Sequence, residues 1–206
     1  MIDKVIRRLP DLKERFPHEY IIDIETTGLN KEKDLIICLG IADLDKLVTT
    51  IYFLDEPTKW RDFQAFCRKK VIELLKRGKV WAYNCNFEMK FLQVKGIQEL
   101  LCYTKGIGFR MTLACASDDI AWEHKLDIKD EDPISGSDVP QLYMREWAIK
   151  RDENAKRLII NHNYYDLVKE YIVRYHIAQI AKRLQNVLLE MHVIPAILSY
   201  NLSTYI

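Results

Sequence analysis

The chain has 206 residues, of which 49% are hydrophobic and 30% charged, with a formal net charge of +1. That balance predicts one globular domain with a sizeable core and excludes disordered or collagen-like sequence. No apolar run approaches the ~18 residues of a membrane span, and no apolar signal region follows Met1 to Lys4, so membrane insertion and secretion are not expected. A charge near zero neither announces nor excludes a nucleic-acid binder, because only a local basic face matters for that.

Residues 1–16 carry apolar positions at helical spacing (Ile2, Val5, Ile6, Leu9, Leu12, Phe16) with Pro10 among them, which predicts a short, broken helix. Tyr20 to Glu25 is β-branched and aromatic and reads as a strand, with Thr26 to Asn30 as its turn. Asp34 to Ala42 is a continuous apolar run, read as a buried strand, and Leu47 to Leu54 as a third. Their short links favour antiparallel pairing. A helix follows over 58–77, stopped by Gly78, then a short buried strand from Val80 to Tyr83 and a helix from Asn84 to Val94. Residues 100–112 leave room for a short strand near Phe109, and 113–123 read as helical. The polar stretch 124–139 is a loop long enough to suspect a functional role. Helices are predicted from Asp138 to Ile149 and from Asn161 to Met191.

The order predicts an α/β fold: a mixed central sheet, three antiparallel strands then parallel ones, flanked by helices. One domain over 1–206 is expected, with its core at about 19–191 and a tail over 192–206. The apolar run Ala196 to Ile206 suggests docking on the body or on a second subunit, which would make a homodimer. Five cysteines (Cys38, Cys67, Cys85, Cys102, Cys115) form no CxxC pair. Their odd number and core-like surroundings predict a reduced, cytoplasmic setting and no zinc site of known spacing.

Asp23 and Glu25 lie two apart in a predicted central strand, so both side chains share one face, while Ile22 and Ile24 point to the other. Two adjacent carboxylates near a buried strand end repel, and one would protonate unless a cation neutralised them. Hard divalent cations prefer such oxygen ligands. The bland alternative for a lone Asp-x-Glu is a strand end that simply reaches solvent.

The run Asp23-Ile24-Glu25-Thr26-Thr27-Gly28 resembles the first motif of the DEDD exonucleases of the ribonuclease H-like superfamily. Ala82-Tyr83-Asn84-Cys85-Asn86-Phe87-Glu88 resembles the second, with Glu88 where Asp is usual; the extra methylene keeps the charge and alters the reach. His162-Asn163-Tyr164-Tyr165-Asp166 resembles the Tyr-Asn-x-x-Asp third motif of one subgroup, with His162 at the Tyr position. His162 and Asp166 share a helix face at i and i+4. An imidazole titrates near 6.5, so it can take a proton from water at neutral pH, whereas Tyr more plausibly orients that water. The stretch Gly136-Ser137-Asp138-Val139-Pro140-Gln141-Leu142-Tyr143 also resembles the family, less specifically.

The resemblance spans about residues 19–175 and implies a metal-dependent 3′–5′ exonuclease acting on single-stranded DNA or RNA. It implies two divalent ions, Mg²⁺ or Mn²⁺, held by Asp23, Glu25, Glu88 and Asp166, with His162 assisting the attacking water. Thr26, Thr27 and Leu29 would line the pocket for the terminal nucleotide. Asn84, Phe87 and Lys90 would contact substrate, Phe87 by stacking and Lys90 through phosphate. Other basic pairs, such as Lys69-Lys70 and Lys182-Arg183, read first as solvated helix faces. His176 and His192 have no ligand partner at useful spacing. Glu88 and His162 motivate a rival reading, a degenerate module that binds nucleic acid or protein without cutting. A structure-selective endonuclease on the same fold is the other rival.

Overall fold

The computed structural model describes residues 2–100, 112–128 and 131–190, with side chains to 186. The expected strand near Phe109, Cys102, His192 and the apolar tail lie outside the described residues.

Strands β1 (Ile2–Arg8), β2 (Glu19–Thr26), β3 (Ile36–Asp43) and β4 (Val48–Leu54) precede helix α1 (Trp60–Leu75). Strand β5 (Lys79–Ala82), helix α2 (Cys85–Leu92), the short strand β6 (Gln98–Glu99) and helix α3 (Leu113–His124) follow. One helical turn, α4 (Val139–Gln141), runs into a π-helical segment, Leu142–Trp147, before the 38-residue helix α5 (Glu153–Glu190). The six strands form one sheet in the order β1-β4-β3-β2-β5-β6. The first four pair antiparallel, and β5 joins β2, and β6 joins β5, in parallel. The α/β class and mixed sheet expected from the sequence are therefore present.

The first segment is a correction. Residues 2–8 are a strand, not a helix, paired from Ile2↔Leu54 to Arg8↔Val48. Its inward positions alternate as Asp3, Val5 and Arg7. The two charged ones are met by α5, where Lys156 binds Asp3 and Asn161 accepts from Arg7. Charged residues on the covered face hid the period of two that marks a strand. Helix α5 also begins at Glu153, eight residues before its expected start. The expected helix from Asp138 is mostly π-helical, and its wider turn aims Tyr143 Oη at Leu54 O (3.1 Å) and Trp147 Nε1 at Asp55 O (3.3 Å).

Two apolar layers cover the sheet. Ile22, Ile24, Leu39 and Phe53 pack with Phe63, Cys67 and Val71 of α1. Ile21, Ala42 and Trp81 pack with Leu167, Tyr171 and Ile172 of α5. Helix α5 thus lies on the face that the odd-numbered residues of β2 present. At Gly40, opposite Asp23 in the β2–β3 register, an added Cβ would stand 2.1 Å from Asn163 Oδ1 and 2.8 Å from Leu167 Cδ1. The bare glycine lets α5 approach the middle of the sheet.

Candidate active site

Strand β2 lies between β3, which pairs it from Tyr20 to Thr26, and β5, which pairs it from Glu19 to Ile21, so it is anchored inside the sheet. The period of two sends Asp23 and Glu25 toward α5, and Ile22 and Ile24 into the opposite layer. The register shift between Glu25 and Thr26 ends the regular pairing where the carboxylates stand. Helix α5 answers with His162, Asn163, Asp166 and Glu170, spaced so that all face the strand.

Asn163 Nδ2 donates to Asp23 Oδ2 at 2.6 Å and reaches Asp23 O at 3.3 Å. His162 is buried, with Nδ1 2.6 Å from Asp132 Oδ2. Its Nε2 lies 3.6 Å from Asp166 Oδ2 and 3.9 Å from Glu25 Oε1. With Asp132 accepting from Nδ1–H, Nε2 turns its lone pair toward the two carboxylates. Lys169 Nζ sits 3.0 Å from Asp166 Oδ1 and 3.5 Å from Asp132 Oδ2. Glu88 enters from the first turn of α2 and is buried.

The electrostatics are those of negative charge packed too closely. Burial, then the charge of Asp166, pushes Asp23 up to about 7. Burial and the charges of Asp23 and Asp166 push Glu25 well above the carboxylate range. Glu170 is raised in the same way, by burial and by Asp23 and Glu88, although Tyr83 N–H donates to its Oε1 at 3.2 Å. Among the described residues, Glu25 Oε1 and Glu170 Oε2 are buried without a hydrogen-bond partner. One ligand atom from each of Glu25, His162 and Asp166 lies within 4.8 Å of the others. Buried carboxylates, orphaned oxygens and an imidazole lone pair are a donor set that fits a divalent cation.

The other expected site residues divide. Thr26 Oγ1 donates to Gly28 O at 2.6 Å, and Thr27 Oγ1 accepts from Leu35 N at 2.9 Å. Both threonines therefore shape the loop after β2, which carries Leu29, 80% exposed. Asn84 is exposed at the start of α2, and Phe87 packs on Phe91 with ring centroids 4.7 Å apart. Lys90 is exposed, about 200° round α2 from Glu88, and so on the far side of the helix. Tyr164 turns away, its hydroxyl donating to Arg8 O at 2.8 Å.

Asp132, Lys169 and Glu170 belong to this cluster and were not singled out in the sequence. Glu170 was within reach, since it continues the helix face of His162 and Asp166 at i+4. Asp132 was not, because a polar loop thirty residues from its partner carries no periodic signal.

The family model described as RNase_H superfamily matches residues 20–178. The chain belongs to the RNase H superfamily, a class whose fold commonly serves nucleases that use divalent metals. An uncharacterized protein of Methanocaldococcus jannaschii is similar to it, 28% identical over 168 residues, covering 73% of this chain and 90% of that protein. Among the described residues, no helix is long and apolar enough to cross a membrane.

Proposed function

We propose that the protein is a metal-dependent 3′–5′ exonuclease that hydrolyses phosphodiester bonds of single-stranded nucleic acid. The observation that carries this reading is the convergence of Glu25, His162 and Asp166 beside Asp23, with Glu25 Oε1 buried and unpartnered. Asp23, Glu25, Glu88 and Asp166 would hold two ions, Mg²⁺ or Mn²⁺. Bound there, the ions would neutralise phosphate charge and lower the pKa of the attacking water.

The remaining work falls to the chain. His162 Nε2 accepts the proton of that water, and Asp132 holds the Nδ1–H and balances the imidazolium that forms. Asn163 fixes the rotamer of Asp23. Lys169 neutralises the outer oxygen of Asp166 and leaves Oδ2 facing His162. Thr26 and Thr27 hold the loop on which Leu29 offers apolar surface to the terminal nucleotide. Asn84, exposed at the start of α2, would contact the substrate. Phe87 and Lys90 are the weaker members of the expected contact set, one packed against Phe91 and the other on the far side of α2.

Lys169 also favours a second reading. An ammonium 3.0 Å from Asp166 supplies internal positive charge, as a degenerate binding module without metal would need. The deciding experiment incubates 5′-labelled single-stranded DNA and RNA with Mg²⁺ or Mn²⁺, in parallel with Asp23→Ala. A ladder shortening from the 3′ end, lost with EDTA and in the variant, supports the exonuclease and selects its substrate. Cutting of closed circular strands would replace it with an endonuclease. Binding without cutting of any strand would replace it with the degenerate module.

A further inference from the structure

At the other end of the α3–α5 contact, three side chains converge that the nuclease site does not use. His124 is the last residue of α3, Glu123 precedes it, and His176 lies on α5. His124 Nε2 and His176 Nδ1 face each other at 2.8 Å. The two oxygens of Glu123 divide between them, Oε1 4.0 Å from His124 Nε2 and Oε2 3.7 Å from His176 Nδ1. We propose that Glu123, His124 and His176 form a second metal site, for a transition ion of the zinc class, which clamps the end of α3 to α5.

Two imidazole nitrogens and one carboxylate suit Zn²⁺ and its neighbours in the first transition row, not Mg²⁺. With metal–ligand bonds of ~2.0–2.2 Å, tetrahedral ligand atoms stand ~3.3–3.6 Å apart. The two imidazole nitrogens stand closer than that, each carboxylate oxygen stands farther from the ring it faces, and one ligand atom from each residue lies within 4.8 Å of the others, so closure needs the rings to part and Glu123 to swing one oxygen inward. The two carboxylate distances are too long for hydrogen bonds, yet the carboxylate straddles both rings. His176 is buried, so its ring is held in place by the packing of α3 on α5. The side chain of Glu123 is 36% exposed and gives the ion an entrance and room for a water as fourth ligand. Its present pairing with Arg183, at 3.4 Å between exposed groups, is weak competition. The carbonyl end of α3 adds favourable negative potential.

His176 is ten residues beyond Asp166 on one helix, about 15 Å along its axis, so the two centres are separate. A clamp there fixes the chain where it leaves α3, through Leu126 to Ile128, toward the loop that carries Asp132. The ligands were invisible to spacing rules because His124 and His176 stand 52 residues apart on different helices.

The test titrates the full chain with Zn²⁺ by calorimetry and with Co²⁺ by visible absorption, beside Asp23→Asn, His124→Gln and Glu123→Gln. The expected result is a Zn²⁺ bound by the wild-type chain over and above any ion at the nuclease carboxylates, and retained by Asp23→Asn, with the intense visible bands of four-coordinate Co²⁺. In the Asp23→Asn background, His124→Gln should weaken Zn²⁺ binding by at least ~100-fold and abolish those bands, and Glu123→Gln should weaken it less. In that background Zn²⁺ should raise the Tm, and adding His124→Gln should abolish the rise. Uptake that survives His124→Gln but is lost in Asp23→Asn would place the ion among the carboxylates and overturn the proposal. So would the absence of uptake by the wild-type chain. Glu123 is partly exposed, so its variant keeps the test decisive if His124→Gln does not fold.

Discussion

Asn163 reaches from α5 to β2 and holds Asp23 by its carboxylate, with Nδ2 2.6 Å from Oδ2, across a gap that exists because residue 40 has no side chain. The position of Asp23 thus depends on a glycine in the next strand. Gly40→Ala should overpack this contact and cost about 1–3 kcal/mol in denaturant unfolding. Asn163→Ala should relieve part of the clash, so the double variant should lose less than the two single variants together. Strict additivity would show that Asn163 does not meet the new methyl group.

The pH dependence of stability has a definite sign in the metal-free chain. Asp23 has a usual value of 3.8 and is raised to about 7 in the folded state, and Glu25 and Glu170 are raised as well. The folded state therefore binds more protons than the unfolded state between those limits, and stability falls as pH rises through them. Without divalent ions, Tm should be higher at pH 5 than at pH 8. Mn²⁺ should recover the loss at pH 8, and Asp23→Asn should flatten the apo profile. An apo Tm that rises from pH 5 to pH 8 would contradict the crowding of charge.

Asp132→Asn should leave the fold intact and remove the anion that orients His162 and balances its charge. Turnover should fall about 10–100-fold, as for the loss of an outer partner of a catalytic or ligating histidine. Circular dichroism beside single-turnover cleavage separates this effect from unfolding. Unchanged turnover would place the working tautomer of His162 outside the control of Asp132.

If the segment is the second DEDD-like motif, as its resemblance implies, Glu88 stands where an aspartate is usual, and the pocket it enters should be fitted to the longer side chain. Glu88→Asp shortens the reach by one methylene, and a displacement of that size should cost about 100-fold in turnover. Glu88→Gln should cost at least as much, because it removes the charge. Wild-type turnover in Glu88→Asp would show that reach is not what this site selects.

Glu170 is a buried carboxylate with one oxygen unpartnered and three carboxylates, Asp23, Glu88 and Asp166, acting on it. Glu170→Gln should raise the apo Tm at pH 8 by removing that repulsion. If Glu170 shares in holding a cation, the same variant should also weaken Mn²⁺ binding in calorimetry. A raised Tm with unchanged Mn²⁺ affinity would assign it a purely structural place.

What the sequence determined by itself was local. The run from Tyr20 to Glu25 reads as a strand because its residues are β-branched and aromatic, and a period of two then puts Asp23 and Glu25 on one face. The spacing of His162 and Asp166 puts both on one face of a helix. These relations depend only on backbone geometry within a few residues, so they survive without knowledge of the fold. The tertiary structure decided the rest. Residues 2–8 became a strand because β4 offered an edge and α5 supplied partners for Asp3 and Arg7, contacts more than 150 residues away in sequence. Asp132 found His162, His124 found His176, and Gly40 made room for Asn163 through packing that no periodicity encodes. Side chains distant in sequence are brought together by burial of the two apolar layers, and that burial is a property of the whole chain.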